Sequence, residues 1–270
     1  MINAIYRIVL LLKLGGGWKS DNITQNKIYQ TLALIHGLLN IYSIIGCLIE
    51  LNVDKNLTME KFSLILFTIC LASIVFSRLI HLIHNHEKFK KVLKILEVDL
   101  ITDHSINEEE KEIIITAENL VRKTTNFSTS GSLLGAIYVC SSPLLEKLLY
   151  ALNLPVPEVR KHYPFPIYVP FDDTNVVVYS CVYISHVMTS FSILYIWTGS
   201  DMFLWSVLIH IYHHFKILGN RVKSLRYEQD NVMMKRSSLK STDGEYRVDD
   251  EEILADKMRR VILYHNDLLR

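Results

Sequence analysis

His210, His213 and His214 put two imidazoles four residues apart, the spacing with which one helix can offer a zinc ion two ligands. No acidic or thiol partner stands close in the sequence, so these histidines read as polar positions of a cytosolic helix near the headgroups. His81, His84 and His86 read the same way. A different chemistry is suggested by Tyr179, Tyr183, His186 and Ser190, which recur every three or four residues along one face of an apolar stretch. Polar groups on a membrane helix are costly unless paired, so such a face points into a bundle or a cavity. Tyr138, Ser141 and Ser142 in another apolar stretch, and Phe67 and Thr68 in a third, could meet it at similar depth. An apolar, aromatic pocket with a few hydroxyls suits a small volatile ligand. The candidate ligand-binding residues are Phe67, Tyr138, Ser141, Tyr179, Tyr183 and His186; ordinary interhelical packing by small and aromatic side chains is the plainer alternative.

Catalytic patterns are missing. There is no nucleophile elbow, no His-Glu-x-x-His and no kinase or phosphate-loop set. Gly15, Gly16 and Gly17 lack the strand-to-helix context of a nucleotide site. Asp172 and Asp173 are adjacent on a proline-rich loop, which makes no positioned acid pair; Asp172 reads as a helix cap. The expectation is a chain that is not an enzyme and takes no cofactor or metal.

The elements that would position the tyrosines are membrane helices. Half of the 270 residues are hydrophobic and mean hydropathy is +0.21, with the apolar residues bunched near 28–51, 62–83, 128–152 and 176–199. About twenty residues at 1.5 Å each cross a hydrocarbon core of roughly 30 Å. The fold class is therefore all-α, a multi-pass transmembrane bundle forming a single domain over 1–270. Cytosolic helical extensions are expected near 84–126, 202–226 and 249–270. A net charge of +1 with no basic stripe argues against a nucleic-acid partner and leaves the lipid bilayer as the natural one. Cys47, Cys70, Cys140 and Cys181 all fall in apolar segments and read as free thiols.

Residues 3–14 suit an interfacial amphipathic helix better than a signal peptide, because Arg7 and Lys13 interrupt the apolar run. Trp18 is expected at the membrane boundary. Basic residues precede the first membrane segment (Arg7, Lys13, Lys19, Lys27) and follow the second (Lys88, Lys90, Lys91, Lys94), which puts both sides in the cytosol. Asn56, in the triplet Asn56-Leu57-Thr58, then lies outside where a glycan could be attached, while Asn22 and Asn126 stay bare. Ser105 with Glu108 predicts a capping box, and the polar composition of 226–250 predicts a flexible loop. The last predicted helix is still open at Arg270, and the expectation is an amino-terminal fragment or truncated gene product.

Taken in order, several motifs resemble the insect odorant receptor family. Leu12-Lys13-Leu14-Gly15-Gly16-Gly17-Trp18 is similar to its Leu-x-Leu-x-Gly-x-Trp pattern, without the proline that usually follows the tryptophan. Tyr168-Val169-Pro170-Phe171-Asp172 resembles its Pro-Phe-Asp element. Phe215-Lys216-Ile217-Leu218 with Arg221, and the stretch 262–269, look like the end of its fourth helix and its next cytoplasmic helix. The resemblance implies a seven-helix plasma-membrane subunit with a cytosolic amino terminus. It also implies binding of a small volatile odorant and assembly with a shared odorant co-receptor into a heterotetrameric, ligand-gated cation channel. The pore helix of that family would lie beyond Arg270. A gustatory receptor shares the architecture, and a small membrane carrier is the reading from another class; the latter calls for internal repeats, which the sequence lacks.

Overall fold

The computed structural model describes residues 2–20, 22–55, 57–94, 107–152, 163–171, 175–239 and 249–269. These form α1 (Ile2–Leu14), α2 (Ile23–Val53), α3 (Met59–Lys94), α4 (Glu108–Ala151), α5 (Val176–Ile193), a π-helical turn (Leu194–Thr198), α6 (Gly199–Leu239) and α7 (Asp249–Leu269). The described residues contain no strand, so the chain is all-α. Among the described residues, three helical stretches are long and apolar enough to span a bilayer: Ile23–Val53, Met59–Lys94 and Val176–Asn231. Helices are the expected form there, because lipid offers the backbone no hydrogen-bond partners. Only 33%, 28% and 28% of their apolar windows are buried within the chain, which leaves apolar surface for lipid or partner helices. The predicted segment at 128–152 falls in α4, which is not among the three; Ser128, Ser130, Gly131, Ser132 and Gly135 dilute its apolar run.

Helix ends differ from expectation in informative ways. The capping box of α4 is made by Asn107 and Glu110: Asn107 Oδ1 accepts from the Glu110 N–H at 2.8 Å and Glu110 Oε2 accepts from the Asn107 N–H at 3.2 Å. Ser105 lies outside the described residues. The cap of α5 is Asn175, whose Oδ1 accepts from the Val177 N–H at 2.9 Å; Asp172 and Asp173 also lie outside the described residues. Asn22 caps α2 in the same way. The helical extensions expected within 84–126 are continuous with the apolar segments, α3 running on to Lys94 and α4 starting at Glu108, and α6 continues through the predicted loop as far as Leu239. Extending an existing helix requires no new nucleus, and Glu, Gln, Met, Lys and Arg favour it whatever their polarity.

The described residues fall into two compact units. One comprises 2–88 and 123–204. Here α1 buries Ile5, Ile8 and Leu12 and packs against the π-helical turn and α2, with Arg7 reaching Asn126 Oδ1 at 2.7 Å. It ends in a Schellman motif, in which the Gly17 N–H donates to the Leu12 carbonyl and the Gly16 N–H to the Lys13 carbonyl, both at 2.9 Å, with Gly16 at φ 75°. The reversal carries Trp18 inward. It is buried edge-on against His86 and tilted against Phe203, so the tryptophan expected at the lipid boundary is a core residue.

The other unit comprises 89–122 and 205–270. Ile113, Ile217 and Leu218 form its core, with Val92, Ile114, Val207 and Val261 packed around them. Arg221 binds Glu110 as a fork, Nε to Oε1 at 2.5 Å and Nη2 to Oε2 at 2.8 Å. His210, His213 and His214 are buried in this unit, with His213 Nδ1 held 2.7 Å from the Ile209 carbonyl oxygen.

Candidate functional site

A cavity of about 320 Å³ lies between α3, α4, α5 and the π-helical turn in the first unit. Phe67 and Leu71 of α3 form one wall, Ser132, Gly135, Ala136 and Val139 of α4 a second, and Ser190, Ile193, Leu194, Trp197 and Thr198 a third. The small residues of α4 recur at three- and four-residue spacing and leave the space that larger side chains would fill. The π-helical turn inserts an extra residue into the α5–α6 register, a feature often found where a helix serves a site. By that shift Leu194, Trp197 and Thr198 all face the same void.

Few polar groups reach the wall. The Thr198 hydroxyl donates to Ser132 Oγ at 2.9 Å, so the Ser132 proton is directed elsewhere. The Ser190 hydroxyl donates to the His186 carbonyl at 3.1 Å and accepts from the Cys140 thiol at 3.4 Å. A mostly apolar surface with two or three hydroxyls can hold a small molecule by dispersion and orient it through one hydrogen bond.

Phe165 closes the cavity from the loop before α5. That loop folds back into the bundle: the Tyr168 N–H donates to the Gly46 carbonyl at 3.1 Å, and Phe165 and Ile167 pack with Cys47 and Ile65. Five rings then run up from the cavity. The Phe165 and His186 centroids are 5.8 Å apart, His186 and Tyr163 5.3 Å, Tyr163 and Tyr179 5.2 Å, and Tyr179 and Tyr183 5.9 Å. The Phe165 N–H donates to His186 Nδ1 at 3.3 Å, which puts the ring proton on Nε2. The Tyr183 hydroxyl donates to the Cys140 carbonyl, one turn before Pro143 interrupts the hydrogen-bond ladder of α4.

The six predicted ligand residues therefore separate. Phe67 lines the cavity; Tyr179, Tyr183 and His186 form the aromatic column above it. Tyr138 and Ser141 sit on an exposed face of α4 and do not line this cavity. Sequence reasoning passed over Ser132, Gly135, Trp197 and Thr198. The signal for the first two was available as small residues spaced along an apolar run; nothing local announces the π-helical turn that places the others.

One ion pair reaches the wall from behind. Arg78 of α3 pairs with Asp201, donates to Ser200 Oγ at 3.1 Å, and holds its guanidinium carbon 4.4 Å from the centroid of Trp197. A pair between segments over a hundred residues apart thereby supports a ring that lines the cavity. The cysteines are all free, Cys47 buried and Cys70 exposed. Asn56 lies outside the described residues, between Val53 at the end of α2 and Met59 at the start of α3. Near it Lys61 Nζ bridges Glu50 and Asp54, each at 2.5 Å.

This arrangement of long apolar helices around an apolar cavity is that of a multi-pass helical membrane protein. The family model for the 7tm odorant receptor matches residues 58–270, and the chain belongs to that family. It is similar in fold to the insect olfactory receptor OR5 from Machilis hrabei, solved in complex with eugenol, with a TM-score of 0.62 and 15% sequence identity. That likeness covers 98% of this chain, which spans 65% of the solved one. No curated protein matches the sequence.

Proposed function

We propose that the cavity binds a small volatile odorant, largely apolar and with one hydrogen-bonding group, and that the chain is the odorant-receiving part of a receptor subunit. The observation that carries this reading is the recess of about 320 Å³, open on one side, whose wall combines Phe67, Val139 and Trp197 with the hydroxyls of Ser132, Ser190 and Thr198. The volume lies at the small end of the range of ligand sites, about 300 to 1,000 Å³. Tyr179, Tyr183 and His186 act through Phe165, which they support from above. Membership of the odorant receptor family supports a role in sensing, and supports assembly with a shared co-receptor into an odorant-gated cation channel in the plasma membrane.

The test uses Trp197 as its own reporter. Titrating the purified chain in lipid nanodiscs with a panel of volatiles should give saturable quenching of tryptophan emission that disappears in Trp197→Phe. Ser132→Leu, which fills the void, should weaken the binding at least tenfold. Ser132→Ala should cost a few-fold, selectively for ligands bearing a hydroxyl or carbonyl, because one hydrogen bond contributes about 0.5–1.5 kcal/mol. Identical titrations for the wild type and both Ser132 variants would remove this cavity as the site.

A cytosolic amino terminus is supported by the basic residues before α2 and at the end of α3. Expression in glycosylating microsomes should modify Asn56 and leave Asn22 bare, since in this orientation Asn56 lies outside and Asn22 on the cytosolic side. A glycan on Asn22 with Asn56 unmodified would invert the orientation.

A further inference from the structure

A second apolar recess lies on the other side of α3, and the odorant reading does not use it. The open groove between α2 and α3 has a volume of about 480 Å³, and its floor is made by Ala33, Gly37 and Leu79. Leu34 and Leu38 form one bank and Ile80 the other, all more than half exposed. Along α2 the groove runs from Gln30 to Ile41, which at 1.5 Å per residue is roughly 16 Å, about the depth of one leaflet of a 30 Å hydrocarbon core.

The two ends differ. The far end is hydrocarbon throughout, at Ile41 and Phe76, whereas the end at the start of α2 carries Lys19 and Gln30 beside the glycine turn. Lys19 is exposed and makes no ion pair among the described residues. It immediately precedes a membrane helix, at the level where headgroups lie. A narrow apolar channel one leaflet deep with a single cation at its polar mouth matches an acyl tail attached to an anionic headgroup. A sterol would present a neutral hydroxyl to the ammonium, and a volatile would leave most of the length empty.

We propose that this groove is a binding site for an anionic glycerophospholipid, with one acyl tail laid along Leu34, Leu38 and Ile80 and the headgroup phosphate and carboxylate resting on Lys19 and Gln30. The site is separate from the odorant cavity and stands or falls without it.

The test reconstitutes the full 270-residue chain in nanodiscs of phosphatidylcholine containing a trace of phosphatidylserine with a photoreactive acyl terminus. The comparison probe is phosphatidylcholine carrying the same photoreactive tail. Peptide mapping should find the serine lipid on α2 and α3 residues of the groove, at least fivefold above the choline lipid. Gly37→Leu, which fills the floor where an added Cβ meets only Phe76 at 3.8 Å and Leu79 at 4.0 Å, should lower this labelling at least fivefold without lowering the melting temperature. Lys19→Gln, an exposed substitution that leaves the fold alone, should bring the serine-to-choline ratio close to one, while Lys27→Gln should not. Equal labelling by both probes, label spread evenly over the lipid-facing helices, or a ratio unchanged in Lys19→Gln overturns the proposal. So does displacement of the serine probe by cholesterol but not by unlabelled phosphatidylserine.

Discussion

Replacing Glu110 with alanine lowers the stability of the unit built from 89–122 and 205–270 by about 3–5 kcal/mol, because it removes the carboxylate that accepts from Arg221 Nε and Nη2 in a largely buried site. The side chains of the pair are 5% and 15% exposed, and two guanidinium nitrogens, Nε and Nη2, donate to the carboxylate. Glu110 has a second task, since the same carboxylate closes the capping box of α4 on the Asn107 N–H. The two roles separate by substitution. Glu110→Gln retains an oxygen for the Asn107 N–H and loses the charge, so its melting temperature falls between those of the wild type and Glu110→Ala. Arg221→Lys keeps the charge and loses the planar fork, which also leaves it intermediate. A double-mutant cycle is decisive: with both residues changed to alanine, the loss should be smaller than the sum of the single losses by at least 1 kcal/mol. Additive losses would show that the two side chains do not support each other.

The second large effect is expected at Gly46. A Cβ built there would lie 2.0 Å from Ile167 Cγ2, far inside contact distance, with Ile167 Cβ at 3.4 Å and the Tyr168 carbonyl oxygen at 3.6 Å leaving it little room to shift. Gly46→Val therefore cannot coexist with the returning loop. Burying Phe165 and Ile167 contributes about 1.5–3 kcal/mol each, so their expulsion costs about 3–6 kcal/mol. Limited proteolysis should then cut the chain within 163–171, and odorant binding should fall at least tenfold as Phe165 leaves the cavity wall. The sign is the diagnostic. In an unobstructed helix, glycine to a larger residue is neutral or favourable, as expected for Gly37→Ala, where the nearest neighbours are at ordinary contact distance. A protease-resistant, fully binding Gly46→Val would mean that the loop does not pack on α2.

Both predictions rest on contacts between distant parts of the chain, and that marks what could be read from the residues alone. The all-α class and the multi-pass character follow from the apolar windows, because a run of twenty such residues in lipid can satisfy its backbone only as a helix. The polar face of α5 was legible too: Tyr179, Tyr183 and His186 share it by period, and the structure stacks aromatic rings along it. Capping was legible as a kind of signal though not in register, since Asn, Ser and Asp compete for the same position and only the helix that forms decides among Asn107, Ser105, Asn175 and Asp172. Polar composition misled at 226–239, where continuation from an existing helix outweighed it.

Helical period determines which residues share a face; it does not say what that face meets. Arg78 finds Asp201 at a separation of 123 residues and Arg221 finds Glu110 at 111, and no local pattern selects either partner. The return of Phe165 and Ile167 into the bundle depends on the gap left by Gly46, a single missing side chain in a long apolar helix. The cavity itself depends on a π-helical turn that rotates Trp197 and Thr198 toward the small residues of α4. The elements and their membrane character were thus determined by sequence, through local hydrogen bonding and hydropathy. The site was decided by tertiary packing, because a void is defined by side chains on four segments whose mutual register only the assembled bundle sets.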